Sequence, residues 1–113
     1  LSIPIVHRDL RSPNVFLQSI DRASCWDVQA VHGKIGDFGL SCFGDVPSRE
    51  LLLSWEWLPP EAIDPASRTY NYKIDIYSFA IMLWECLARA HPFSEYEHDY
   101  ASHMDLKLSL IHI

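Results

Sequence analysis

Basic residues are scarce in this sequence: nine Lys and Arg stand against fifteen Asp and Glu in 113 residues, a formal net charge of −6. A chain that neutralises nucleic-acid phosphates needs the opposite sign, so a general DNA or RNA binder is disfavoured. Residues 1–34 hold four basic and three acidic side chains, against five and twelve in residues 35–113, so any polyanion contact belongs near the start. Cysteine is scarce as well. Cys25, Cys42 and Cys86 are odd in number and far apart, with no C-x-x-C pair. That argues against a zinc knuckle or a redox motif and for a reducing, cytoplasmic setting. Long apolar runs are missing too: the uncharged stretch Ile76 to Trp84 has nine residues, about half of what a bilayer-spanning helix needs. No membrane span is expected. There is no internal repeat or low-complexity tract. With Leu1 first and six residues before His7, no signal peptide is visible, and the chain reads as a piece of something larger.

What is present suits one globular domain with a core, 49% hydrophobic and 21% charged. Ile3 to Val6 is apolar and β-branched around Pro4. The polar run His7 to Asn14 contains Pro13 and reads as an ordered loop rather than regular helix. Val15-Phe16-Leu17 and Val31 to Ile35 read as two short strands, joined by a polar stretch from Gln18 to Ala30. From Leu40 to Pro60 no period is sustained, and Gly44, Pro47, Pro59 and Pro60 predict a long loop. Lys73 to Ala90 is the clearest helix, stopped by His91-Pro92. Asp75, Ser78, Glu85 and Arg89 form one narrow polar stripe on it, so it is expected to be buried on nearly all sides. A weaker helical pattern spans residues 100 to 112, and the fold as a whole looks short of partners for the first helix.

Four short motifs occur in order. His7-Arg8-Asp9-Leu10-Arg11-Ser12-Pro13-Asn14 matches H-R-D-L-x-x-x-N, and Asp37-Phe38-Gly39 follows a strand as a D-F-G. Pro59-Pro60-Glu61 stands where A-P-E is expected, and Asp75-Ile76-Tyr77-Ser78-Phe79-Ala80 where D-x-W-S-x-G is expected. On these residues the sequence resembles the C-terminal lobe of a eukaryotic-type protein kinase. The insert before Asp37, the Trp57-Leu58 pair and the segment YSFAIMLWE are most similar to the tyrosine-kinase-like group, with Roco or leucine-rich-repeat kinases closest. The resemblance covers residue 5 to about residue 98.

The resemblance implies an incomplete α+β fold, a mainly helical C-terminal lobe with a short β-hairpin, across residues 1–113. It further implies a catalytic loop at 7–14, an activation segment at 37–61 and a buried helix at about 73–90. Phosphoryl transfer asks a protein mainly to position a hydroxyl and neutralise phosphate charge, which takes one carboxylate near the acceptor and oxygen ligands for Mg²⁺. By resemblance, Asp9 accepts the substrate hydroxyl proton, while Asn14 and Asp37 hold the Mg²⁺ ions of Mg-ATP. Arg11 takes the place of a Lys that contacts the γ-phosphate, and Ser54 that of a threonine orienting the base. Both favour protein Ser or Thr over Tyr as acceptor. Arg8 is expected to pair with a phosphate on the activation segment, with Ser48, between Pro47 and Arg49, as the modified residue. His7, Phe38, Gly39, Glu61 and Asp75 are expected to support the site. For Asp75 the competing reading is a solvated helix face; the preferred one has its carboxylate accepting backbone N–H bonds from the catalytic loop.

Some readings lie outside the kinase pattern. His98 and His103 with Glu95, Glu97 and Asp99 match no metal-ligand spacing and read as a solvated acidic stretch. The cysteines read as small hydrophobes, with Cys42 the one to test for reactivity. The sequence has no Gly-rich loop, no strand Lys of the V-A-I-K type and no helix Glu to pair with it, so nothing in it cradles adenine or the α- and β-phosphates. Pro59 replaces the Ala of A-P-E and Ala80 the Gly of the helix motif. The expected function is therefore part of a protein serine/threonine kinase, inactive alone. The alternatives are a non-catalytic pseudokinase or interaction fragment, and a Mg²⁺-dependent phosphohydrolase that would lack a water-activating group.

Overall fold

The computed structural model describes residues 2–18, 32–44, 46–47, 54–64 and 69–95. The inter-strand stretch from residue 19 to 31, Cys25, Ser48, the pattern at 100–112 and the His98/His103 stretch lie outside them. The β-branched pair Ile5–Val6 forms β1 directly before the loop of residues 7–14. The loop ends in a 3₁₀ turn at Ser12–Asn14 that seats Pro13 in its first turn, where a missing N–H costs nothing. Val15–Gln18 (β2) and His32–Ile35 (β3) then pair antiparallel, with Val15 opposite Ile35 and Gln18 opposite His32.

Where a long loop was expected, the described residues between 40 and 60 include two short strands and a turn. Cys42–Phe43 (β4) pairs with β1, Val6 opposite Cys42, and Val46–Pro47 (β5) pairs with Thr69–Tyr70 (β6). Elements of two residues show no alternation, so periodicity could not reveal them. A hydrogen-bonded turn follows, in which the Trp57 N–H donates to Ser54 O and the Leu58 N–H to Trp55 O. It leads into the single-turn helix α1, Pro60–Ile63.

The long helix α2 spans Lys73–Ala88. Asn71 starts it, its side-chain oxygen accepting the Lys73 N–H at 3.0 Å. It ends two residues before the expected Ala90, because Arg89 turns left-handed at φ 52° and closes the last turn ahead of His91-Pro92. Near-complete burial is not what α2 shows. Only Ile74 and Ser78 are buried, whereas Ile76, Phe79, Leu83, Trp84 and Leu87 are exposed, Leu87 at 78%. Among the described residues the buried apolar core consists of Val6, Leu58, Ile63, Tyr70 and Ile74, flanked by Cys42, Trp55 and Ala62, and α2 contributes Ile74 of its first turn to it. The described residues hold one long helix and the single-turn α1 beside three two-stranded antiparallel pairs, fewer helices than expected of a mainly helical lobe. No helix of the described residues is long and apolar enough to cross a membrane.

Tyr77, half-buried on α2, has its hydroxyl pushed above the ordinary value of 10 by burial first and by the Glu61 carboxylate second. A phenol whose folded value is raised gives stability that is fully present below pH ~10 and is lost as pH climbs from there through the folded value. Alkaline denaturation should therefore begin at higher pH in Tyr77→Phe than in the native sequence. Identical alkaline midpoints would contradict the burial of this hydroxyl.

Candidate active site

The loop of residues 7–14 is built on buried polar atoms, a costly arrangement unless each is bonded. His7, Arg8, Asp9 and Asn14 are all buried, and partners drawn from distant segments satisfy them. Asp75, in the first turn of α2, supplies two bonds: Oδ2 accepts the His7 N–H at 2.7 Å and Oδ1 the Arg8 N–H at 3.1 Å. Arg8 has a left-handed backbone, φ 69°, which costs a non-glycine residue about 1–3 kcal/mol. The Asp75 carboxylate offsets that cost. Arg8 Nε donates to Leu40 O and its Nη1 lies 3.4 Å from the Tyr70 hydroxyl, so this cation fastens the segment after Gly39 to the core.

The His7 ring joins the loop to the end of β3. Nδ1 accepts the Asp9 N–H at 3.2 Å, which leaves Nε2 as the protonated nitrogen, donating to Gly36 O at 2.8 Å. Phe38 sets its ring edge-on to the imidazole, centroids 4.8 Å apart. Gly36 itself donates its N–H to Asn14 O at 2.9 Å. An added Cβ at Gly36 would come within 2.5 Å of the Phe16 ring, so only glycine lets the chain pass here without moving that ring. Asp37 follows with φ 56°, exposed, at the mouth of this junction, and Gly39 is exposed two residues on.

Asp9 is the centre of the side-chain network. Its Oδ1 accepts from Ser54 Oγ and, at 3.1 Å, from Arg11 Nε; its Oδ2 accepts from Asn14 Nδ2 at 3.0 Å. Asn14 Nδ2 also donates to Asp9 O at 2.8 Å. Two acceptors at one end of the amide fix its orientation, leaving Oδ1 of Asn14 as the atom for a cation. Among the described residues no three His, Cys, Asp or Glu side chains gather around a possible metal position. Mg²⁺ takes one or two protein oxygens plus substrate phosphates and water. Asn14 Oδ1 and the exposed Asp37 carboxylate are donors of the right chemistry. Glu61 is exposed in α1.

The structure thus brings His7, Asp9, Arg11, Asn14, Ser54 and Asp75 together, ties Phe38 to His7, and leaves Ser48 outside the described residues. Sequence reasoning missed Glu85. Its Oε1 accepts from Ser12 Oγ at 2.8 Å and its Oε2 from Trp57 Nε1 at 3.2 Å. Ser78, also buried, lies 2.8 Å from Trp57 O and 3.0 Å from Ile74 O. Asp75, Ser78 and Glu85 are three members of the polar stripe on α2, which faces the catalytic loop and the Ser54–Leu58 turn. The signal was present in the pattern: a narrow polar stripe on an otherwise apolar helix marks polar partners inside.

Loop, junction and base geometry all belong to one architecture, and residues 2–112 match the protein kinase domain family. The chain belongs to that family. It is 46% identical over 93 residues to the probable serine/threonine-protein kinase qkgA of Dictyostelium discoideum, covering 82% of this chain and 6% of that protein. It is 44% identical over 93 residues to the probable serine/threonine-protein kinase roco11 of the same organism, again with 82% and 6% covered. To the receptor-interacting serine/threonine-protein kinase 4 of Mus musculus it is 36% identical over 101 residues, 84% of this chain and 12% of that protein. The chain therefore spans a small part of the length of the curated relatives it matches.

Proposed function

We propose that this chain is the C-terminal-lobe part of a cytoplasmic protein serine/threonine kinase, which moves the γ-phosphoryl group of ATP to a protein hydroxyl. The observation that carries the reading is Asp9: a buried carboxylate held at both oxygens by Ser54, Arg11 and Asn14. In the transfer, the acceptor oxygen forms a bond to the γ-phosphorus as the bond to the ADP oxygen breaks, and the hydroxyl proton passes to Asp9. Bound Mg²⁺ would neutralise charge on the β- and γ-phosphate oxygens, held by Asn14 Oδ1 and the Asp37 carboxylate. Ser54 and Asn14 fix the rotamer of the base. Among the described residues the terminal guanidinium nitrogens of Arg11 have no acceptor, which leaves them for a phosphate oxygen.

Arg8 takes a different part in this reading. Its guanidinium is engaged with Leu40 and Tyr70, so a phosphate on Ser48 would have to share or displace those contacts. Anchoring the activation segment is the role its geometry supports.

A complete kinase domain carrying this sequence should phosphorylate a Ser/Thr protein substrate from Mg-ATP, and Asp37→Ala should abolish the transfer. The 113-residue chain alone should transfer nothing, since the sequence encodes only the catalytic-loop side of a nucleotide site. A complete domain with no transfer and no Mg-ATP binding would favour the non-catalytic reading instead.

A further inference from the structure

Arg11 stands between two anchors. Its Nε bonds Asp9, and its guanidinium carbon lies 5.9 Å from the centroid of the Trp57 ring, within cation–π range. Trp57 is buried and anchored at four points: the backbone N–H by Ser54 O, the carbonyl by Ser78 Oγ, the indole N–H by Glu85, and the ring edge-on to His91 at 5.3 Å. Glu85 spends its other oxygen on Ser12, the residue after Arg11. One carboxylate on α2 thereby fixes both the platform under the cation and the backbone that carries it.

We infer that Glu85 is a positioning residue that sets the Arg11 guanidinium against Asp9 through Trp57 and Ser12. The inference rests on the kinase reading for its consequence in catalysis, and on the hydrogen-bond geometry alone for the coupling. Glutamine can replace the carboxylate, its carbonyl accepting the indole N–H and its amide donating to Ser12 Oγ, whereas alanine removes both bonds and leaves the buried indole N–H unpaired. Trp57 is too large to find a second position in a packed site without carrying Arg11 with it.

The test uses a complete kinase domain carrying this sequence, with two readouts. In ¹⁵N spectra, Glu85→Ala should shift both the Trp57 indole and the Arg11 Nε–H resonances, and Glu85→Gln should leave Arg11 near its native position. In kinetics, Glu85→Ala should lower kcat by about 10- to 100-fold, Glu85→Gln should restore most of it, and Glu85→Ala should cost little once Arg11→Ala is present. An unmoved Arg11 resonance in Glu85→Ala, or an equal kinetic loss with and without Arg11, would overturn the inference. If the native domain transfers no phosphate, the kinase reading fails while the Arg11 resonance still decides the coupling. Should Glu85→Ala not fold, Trp57→Phe keeps most of the ring volume, removes the indole N–H, and is expected to move the same Arg11 resonance; an unmoved one would again overturn it.

Discussion

Asparagine at position 9 is expected to lower kcat of a complete kinase domain carrying this sequence by about 10²- to 10⁴-fold, the range associated with losing a general base. The amide is nearly isosteric with the carboxylate but takes no proton from the acceptor hydroxyl. Its fit is not perfect, and the geometry says why. Both Asp9 oxygens accept bonds, so whichever position the new NH₂ takes faces a donor: Asn14 Nδ2 on one side, Ser54 and Arg11 on the other. Losing one such bond costs about 1–3 kcal/mol, a modest drop in stability beside a large drop in rate. Steady-state kinetics with a Ser/Thr substrate measures the first and thermal unfolding the second. A variant that keeps its rate would remove Asp9 from the chemistry.

The second large effect concerns Asp75. Asp75→Ala deletes two charge-assisted bonds to backbone N–H groups, each worth about 1.5–3 kcal/mol. It also releases the strained backbone of Arg8. A loss of about 3–6 kcal/mol is a large fraction of the 5–15 kcal/mol that holds a typical domain. Asp75→Asn keeps one acceptor and should lose about half as much. Denaturant midpoints at constant m-value would show the order native, Asn, Ala. Equal midpoints for native and Ala would mean that water replaces the carboxylate at no cost.

Much of this arrangement was legible in the residues. The motifs H-R-D-L-x-x-x-N and D-F-G picked out Asp9 and Asn14, which the structure bonds to each other, and Asp37, which it leaves exposed next to Gly36 in sequence. The hairpin at Val15–Gln18 and His32–Ile35 was visible because Val15-Phe16-Leu17 is an apolar run and Val31 and Ile35 bound the second stretch, with a polar segment between the two. The two-residue strands at Cys42–Phe43 and Val46–Pro47 carried no period and were invisible. The helix α2 marks a different limit: apolar composition states what a helix would bury, and the shortage of partners expected for it leaves Ile76, Phe79, Leu83, Trp84 and Leu87 exposed. The stripe of Asp75, Ser78 and Glu85 held the better clue, since each of its members bonds a group in the catalytic loop or the Ser54–Leu58 turn. Glu85 escaped notice because a lone glutamate in a helix is ordinarily solvated, and its two partners, Ser12 and Trp57, lie 73 and 28 residues away in sequence.

The measurement closest to the centre of the account is Mg-ATP affinity, determined by calorimetry on a complete kinase domain carrying this sequence, for the native residues, Asp9→Asn and Asp37→Ala. A carboxylate that only receives the acceptor proton contributes little to nucleotide binding, whereas one that holds the metal contributes directly. The expected result is an Asp9→Asn affinity close to native, with transfer lost, and an Asp37→Ala affinity clearly weakened. Equal weakening in both variants would contradict the division of labour between Asp9 and Asp37 on which the proposed mechanism stands.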